Sequence, residues 1–415
     1  MTNTAQVRRE AKISRFVAAE TLGTPDRVPT FTVPTFFPTK MTGMTVKDAF
    51  YDQEKLLEAY HKYLEVYDPD MYFGPNVAVG VSGAALDILE TKQIMWPGNG
   101  VDDNASFQLV EGEYMTQAEY DQFLNDSSDF NLRVYLPRVH NALAGFGKFP
   151  PLLSIANGYN SPFIGAFADP KILQSLKKIV EAAEIQAKWM ENYAAFEKEA
   201  AEHGHVNLMG GIALAPFDLI SDMLRGMKGT MFDMFQEPDK LLAAQDKFLP
   251  LAINSAIGMT KAANNPRVFI PLHRGADGFM SNKQFEKFYW PHLKKIIEAI
   301  TDAGCIAYPF FEGTYDERLE YLQELPSGKT VAWFDRSDMV RVKEVLGGKL
   351  CIAGGMPITL LQASTVAGVK EYTKDMIDTV GRDGGFIMTP SSVLDEAEPA
   401  LVKAWHDAVN EFGVY

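Results

Sequence analysis

Several residues able to do chemistry recur at equivalent points in the second half of this chain. Short apolar runs at 268–272, 306–310, 330–334, 350–353 and 386–389 each read as a strand, and most end on polar side chains. The first ends on His273, Arg274 and Asp277, the second on Glu312, and the third on Asp335 and Arg336. The fourth leads to Met356 and the fifth to Ser391 and Ser392; Asn76, Asn157 and Asn207 lie near earlier strands. His273 has the chemistry of a general acid, a general base or a metal ligand, and equally that of a loop histidine bonded to backbone. Glu312 follows Pro309, Phe310 and Phe311. Burial there would raise its pKa and make it a proton donor, whereas a helix beginning near Asp316 would instead give it a dipole to neutralise. Asp335 and Arg336 read most simply as a local ion pair, with catalysis by Asp335 as the lesser reading. Arg274, Arg336, Asn157, Ser391 and the aromatic Tyr159, Phe310 and Phe311 are the candidates for substrate contact. A pocket so lined would suit a flat apolar or aromatic ligand.

What must position these groups is a repeated β-α unit. Helical spacing at 283–303, 316–323, 339–346 and 366–379 separates the five late strands. Earlier strands are expected at 27–33, 70–74 and 206–210, with helices at 6–21, 53–67, 171–203 and 238–263. The strands are apolar almost throughout, as parallel strands covered on both faces are. Without a GxGxxG fingerprint, the pattern favours a closed barrel over an open dinucleotide-binding sheet. The expectation is one (β/α)8 barrel domain spanning residues 1–415, with an N-terminal helical extension. An insertion at about 86–150 opens with a β-hairpin around Pro97 and continues in two helices, near 117–124 and 129–144. In such a barrel the site is built at the C-terminal ends of the strands, where His273, Glu312 and Asp335 fall.

Composition removes several function classes. The 415 residues are 47% hydrophobic and 22% charged with a formal charge of −15, which argues against nucleic acid or an anionic membrane as partner. Two cysteines cannot make a disulfide framework, and the N-terminus lacks a signal-peptide apolar region, so a cytoplasmic protein is expected. Cys305 and Cys351 stand at the starts of their strands, toward the N-terminal face, where a thiolate metal site or nucleophile is not expected. His203 and His205 mark a helix end and turn.

Several segments resemble the uroporphyrinogen decarboxylase superfamily, closest to its corrinoid-dependent methyltransferase branch. They are the helix from Ser281 to Ile297 bearing Phe285, Phe288 and Pro291, the Gly354-Gly355-Met356-Pro357 strand end, the closing run from Gly384 to Pro390, and the opening Thr24 to Pro29. The decarboxylase's arginine-rich loop corresponds here to residues 33–40, which hold Lys40 and no arginine. That speaks against a many-carboxylate substrate. Where zinc methyltransferases carry His-x-Cys-Gly, this chain has Phe310-Phe311-Glu312-Gly313, and Ser391-Ser392 stands where a further cysteine is expected. The resemblance therefore implies either zinc held by His273, Glu312 and a third ligand, or no metal. It implies transfer of a methyl group from a small donor, such as a methoxylated aromatic undergoing O-demethylation, to a corrinoid (cobalamin) carried by a partner protein. A homodimer is compatible with it. The rival expectations are decarboxylation of a small acid, with Arg274 and Arg336 turned into the pocket, and a non-catalytic ligand-binding barrel.

Overall fold

A computed structural model describes residues 3–152 and 161–415. Eight parallel strands form the barrel: β1 (Phe31–Thr32), β2 (Met71–Tyr72), β6 (Gly211–Ile212), β7 (Arg267–Leu272), β8 (Ile306–Phe311), β9 (Val331–Phe334), β10 (Cys351–Met356) and β11 (Phe386–Pro390). Strands β6 to β11 make one six-stranded sheet in chain order, and β1 pairs with β2. Parallel bridges at Thr30–Met388 and Tyr72–Asn207 join the two pieces into a ring. The barrel is thus closed, and alternate residues of each strand face its axis. Phe31, Met71, Phe73, Tyr308, Trp333 and Ile387 fill that axis.

Three further strands, β3 (Ile94–Pro97), β4 (Gly100–Val101) and β5 (Gln108–Leu109), belong to the insertion. β3 runs antiparallel to β5. Gly98 and Gly100 both take φ of +95° at the turn, a conformation that side-chain-bearing residues rarely adopt. The expected helix at 129–144 is broken into short α, π and 3-10 segments. Pro137 lacks the amide that a regular α-turn would use there. Pro291 has the same effect on the expected helix at 283–303, whose regular part is Trp290–Asp302 after a π-turn at Phe285–Tyr289.

Two expectations need correction. The strand expected at 206–210 pairs regularly only at Gly211–Ile212. Before it, Asn265 Nδ2 donates to the carbonyls of Asn207 and Leu208, and Asn207 Oδ1 accepts the Met209 amide, so side chains take bonds that a ladder would use. The helix expected at 316–323 is only Leu319–Leu322. Asp316 instead accepts the Asp338 amide at 3.0 Å and ties two mouth loops together.

The N-terminal helix Asn3–Glu20 closes the bottom of the barrel, with Phe16, Ala19 and Glu20 fully buried. The Glu20 carboxylate meets the Arg267 guanidinium through two hydrogen bonds, of 2.5 and 3.1 Å, and also accepts the Tyr308 hydroxyl. Among the described residues no helix is long and apolar enough to cross a membrane. Removing one partner of a buried ion pair strands the other charge. Glu20→Ala is therefore expected to lower unfolding free energy by about 3–5 kcal/mol in urea titrations. The double change Glu20→Leu with Arg267→Met should recover most of that loss; no recovery would show that the plug depends on packing alone.

Candidate active site

Strand β7 delivers the central group. Phe269 belongs to the barrel interior, and two-residue alternation carries the inward row on to His273 while Arg274 turns outward. The turn is fixed by Asp218, which is fully buried on the short helix Pro216–Leu219 after β6. Its Oδ2 accepts the His273 amide at 2.9 Å and the Tyr289 hydroxyl at 2.7 Å, while Oδ1 accepts the Arg274 amide at 3.1 Å. Burial lifts the Asp218 pKa to about 6, against the opposing pull of the His273 charge and the Tyr289 hydroxyl. Gly275 lets this turn lie on two aromatic rings: a Cβ there would stand 2.8 Å from the Tyr289 ring.

Four residues beyond Asp218, a π-turn at Ile220–Arg225 presents Asp222. Asp222 Oδ2 accepts the His273 Nδ1–H at 2.6 Å, and Oδ1 accepts Arg274 Nη2–H at 2.9 Å. Ser221 Oγ accepts Arg274 Nε–H at 3.1 Å. On the far side Arg274 lies 3.7 Å from Glu111 of the insertion, whose carboxylate also takes the Met227 amide. Burial alone would lower the His273 pKa. The Asp222 hydrogen bond and the charges of Asp218, Asp222 and Glu312 outweigh it and lift the value to about 9. At neutral pH His273 is therefore an imidazolium. Its Nδ1 is committed to Asp222 and its Nε2 has no hydrogen-bond partner among the described residues.

Glu312 follows β8 in the inward row set by Tyr308 and Phe310. It is solvent-accessible, yet enough protein surrounds it that desolvation raises its pKa, with His273 opposing and Asp335 reinforcing. No helix dipole explains it, because the nearest following helix begins only at Leu319. Asp335 sits beside it. Its Oδ2 accepts the Gly313 amide at 3.0 Å, and burial raises its pKa as well. Beneath these groups Phe310 is half-buried and lies 4.1 Å from Trp333, ring centre to ring centre; Phe269 and Phe73 also pack on Trp333. The result is an aromatic floor under a rim of one imidazolium and several carboxylates.

Other expected contacts are placed elsewhere. Phe311 is fully buried on the outer side of the wall, stacked on Phe334 and against Tyr315, because its parity is opposite to that of Phe310. Arg336 points to solvent with its side chain 74% exposed, and its Nε lies 3.3 Å from Asp335. Ser391 is buried, and its Oγ accepts the Ile358 amide at the start of a helix. Asn157 and Tyr159 lie outside the described residues. Asn207 belongs to the wall, where it and Tyr72 donate to the half-buried Glu197, whose pKa desolvation raises to about 7.

A zinc ion does not fit the described residues. Among the described residues no three His, Cys, Asp or Glu side chains come together as ligands, and His273 with Glu312 finds no third. Both cysteines are buried apart from the rim, Cys351 in the barrel axis and Cys305 against Thr260.

Asp218 and Asp222 were not singled out from the sequence. The signal was there: two aspartates spaced i, i+4 just after a strand, on one face of a helical turn.

The histidine carries a pH dependence of stability. Its folded pKa of about 9 exceeds the unfolded value near 6.5, so its stabilisation is complete below about pH 6.5 and is lost as pH rises through about 9. Urea midpoints measured from about pH 6 to 10 should fall across that window. The component due to His273 should vanish in Asp222→Asn; an unchanged profile in that variant would break the link.

The uroporphyrinogen decarboxylase (URO-D) model matches residues 160–412. Among solved structures, a methyltransferase from Methanosarcina mazei superposes with a TM-score of 0.60 at 15% identity, covering 96% of this chain and 98% of that one, a likeness of fold alone. A B12-independent methionine synthase from Shewanella sp. W3-18-1 gives a TM-score of 0.33 at 13% identity over 48% of this chain and 59% of that one, too low to bear on either fold or function. No curated protein sequence matches. The family model covers more than half of the chain, which therefore belongs to the uroporphyrinogen decarboxylase family.

Proposed function

We propose that this protein is a methyltransferase that moves a methyl group from a small methoxylated aromatic to a corrinoid carried by a separate protein. The observation that carries the reading is the His273–Asp222 pair: an imidazolium with its Nε2 free, over an aromatic floor at the barrel mouth. Breaking an aryl methyl ether leaves a phenolate, a poor leaving group unless its oxygen is protonated. The reduced corrinoid supplies the nucleophile that accepts the methyl group when the partner docks. What this chain supplies is position and a proton. Phe310, backed by the buried Trp333, supports the ring, and His273 Nε2–H gives its proton to the ether oxygen as the carbon–oxygen bond breaks. Asp222 holds the imidazole ring in place and stabilises the charge that makes it an acid. The proton leaves with the phenol, and one proton taken up from bulk solvent restores the imidazolium of His273.

The decarboxylase rival required Arg274 and Arg336 to converge in the pocket. Arg274 is taken up by Asp222 and Ser221, and Arg336 points to solvent. That arrangement favours methyl transfer.

The test incubates the protein with a reduced corrinoid protein and a panel of methoxyarenes, following the corrinoid spectrum. Methylation should appear with at least one donor, and His273→Ala should slow it by about 10²–10⁴-fold, the usual contribution of a general acid. Spectral silence with every donor, or full activity in His273→Ala, would reject the reading.

A further inference from the structure

The charges around the barrel mouth restrict which aromatic can lie there. Among the described residues, Arg225, Arg274, Arg318 and Lys40 are bonded or buried, and Arg336 is turned to solvent. Arg274 bonds Asp222 and Ser221 and lies beside Glu111. Arg225 is buried between Asp233 and Glu113. Arg318 is fully buried under the loop after β7, on the Met280 carbonyl and near Asp277. Lys40 donates to the Ala397 carbonyl, and Arg336 lies in solvent against Asp335. The undescribed residues 153–160 contain no Lys, Arg or His. Against one imidazolium the rim sets Asp222, Glu312 and Asp335, with Asp218 behind them.

We propose that the methyl donor is an uncharged methoxyarene and that the mouth rejects the same ring bearing a carboxylate. This rests on the methyl-transfer reading and narrows it. A ring carboxylate on the Phe310–Trp333 floor would lose its water and face Glu312 and Asp335. Among the described residues the cation facing it would be His273, whose Nε2–H is the donor that the ether oxygen needs. A desolvated anion without a dedicated partner costs several kcal/mol, so discrimination of at least about 100-fold is expected. Glu312 and Asp335 are then specificity residues as well as rim groups, and a neutral phenol product leaves without an ion pair to break.

The experiment measures binding of dimethoxybenzene and dimethoxybenzoate to the full-length protein by calorimetry, with no corrinoid present. The neutral ring should bind at least about 100-fold more tightly. In the Glu312→Gln, Asp335→Asn double variant the gap should narrow, chiefly through better binding of the benzoate. Equal or tighter binding of the benzoate by the unmodified protein would overturn the inference, and loss of that binding in Arg336→Ala would name Arg336 as the carboxylate's partner. Failure of both rings to bind would overturn the methoxyarene reading, and this inference with it.

Discussion

The hydrogen-bonded ion pair between His273 and Asp222 is the interaction on which the barrel mouth depends. An imidazolium at this depth would be disfavoured by desolvation; it persists because one carboxylate touches it at 2.6 Å and two others lie near. The pair in turn requires the chain after β7 to turn at one fixed angle. Asp218 sets that angle by accepting two consecutive backbone amides and the Tyr289 hydroxyl. Asp218 and Asp222 lie four residues apart on two directly consecutive helical segments, so the group that shapes the turn and the group that charges the ring cannot drift independently. Arg274 ties the same element to the insertion through Glu111, placing the hairpin beside the site.

The two ends of the barrel use buried charge differently. At the bottom, Glu20, Arg267 and Tyr308 satisfy one another and seal the axis under the N-terminal helix. At the top the charges are only partly satisfied: His273 Nε2 and the Glu312 carboxylate have no hydrogen-bond partner among the described residues. Groups left open toward solvent, over a floor of aromatic rings, are what a proton-transfer site needs and what a sealed structural network lacks.

Much of this was legible in the sequence. The late strands were readable because parallel strands covered on both faces are apolar throughout, and their ends located His273, Glu312 and Asp335. Strict alternation would have shown that Phe311 and Arg336 face away from the axis, since Phe310 and Asp335 face toward it. Other features were not readable. Side-chain bonds from Asn265 and Asn207 displaced the strand at 206–210, and two prolines turned regular helices into π-turns. Ser391 has the inward parity of a site residue, but a helix start occupies its hydroxyl, a tertiary contact that no local pattern reveals. Asp218 and Asp222 carry only an i, i+4 spacing, on a segment whose irregular π-turn leaves no clean helical period around it.

The central claim is that Asp222 keeps His273 charged and able to donate a proton at neutral pH. Proton NMR of the imidazole resonances tests it most directly, with the His273 signal assigned by its disappearance in His273→Gln. A titration midpoint near 9 that falls to 6.5 or below in Asp222→Asn is the predicted result. A midpoint already near 6.5 in the unmodified protein, or one that Asp222→Asn leaves unchanged, would contradict it.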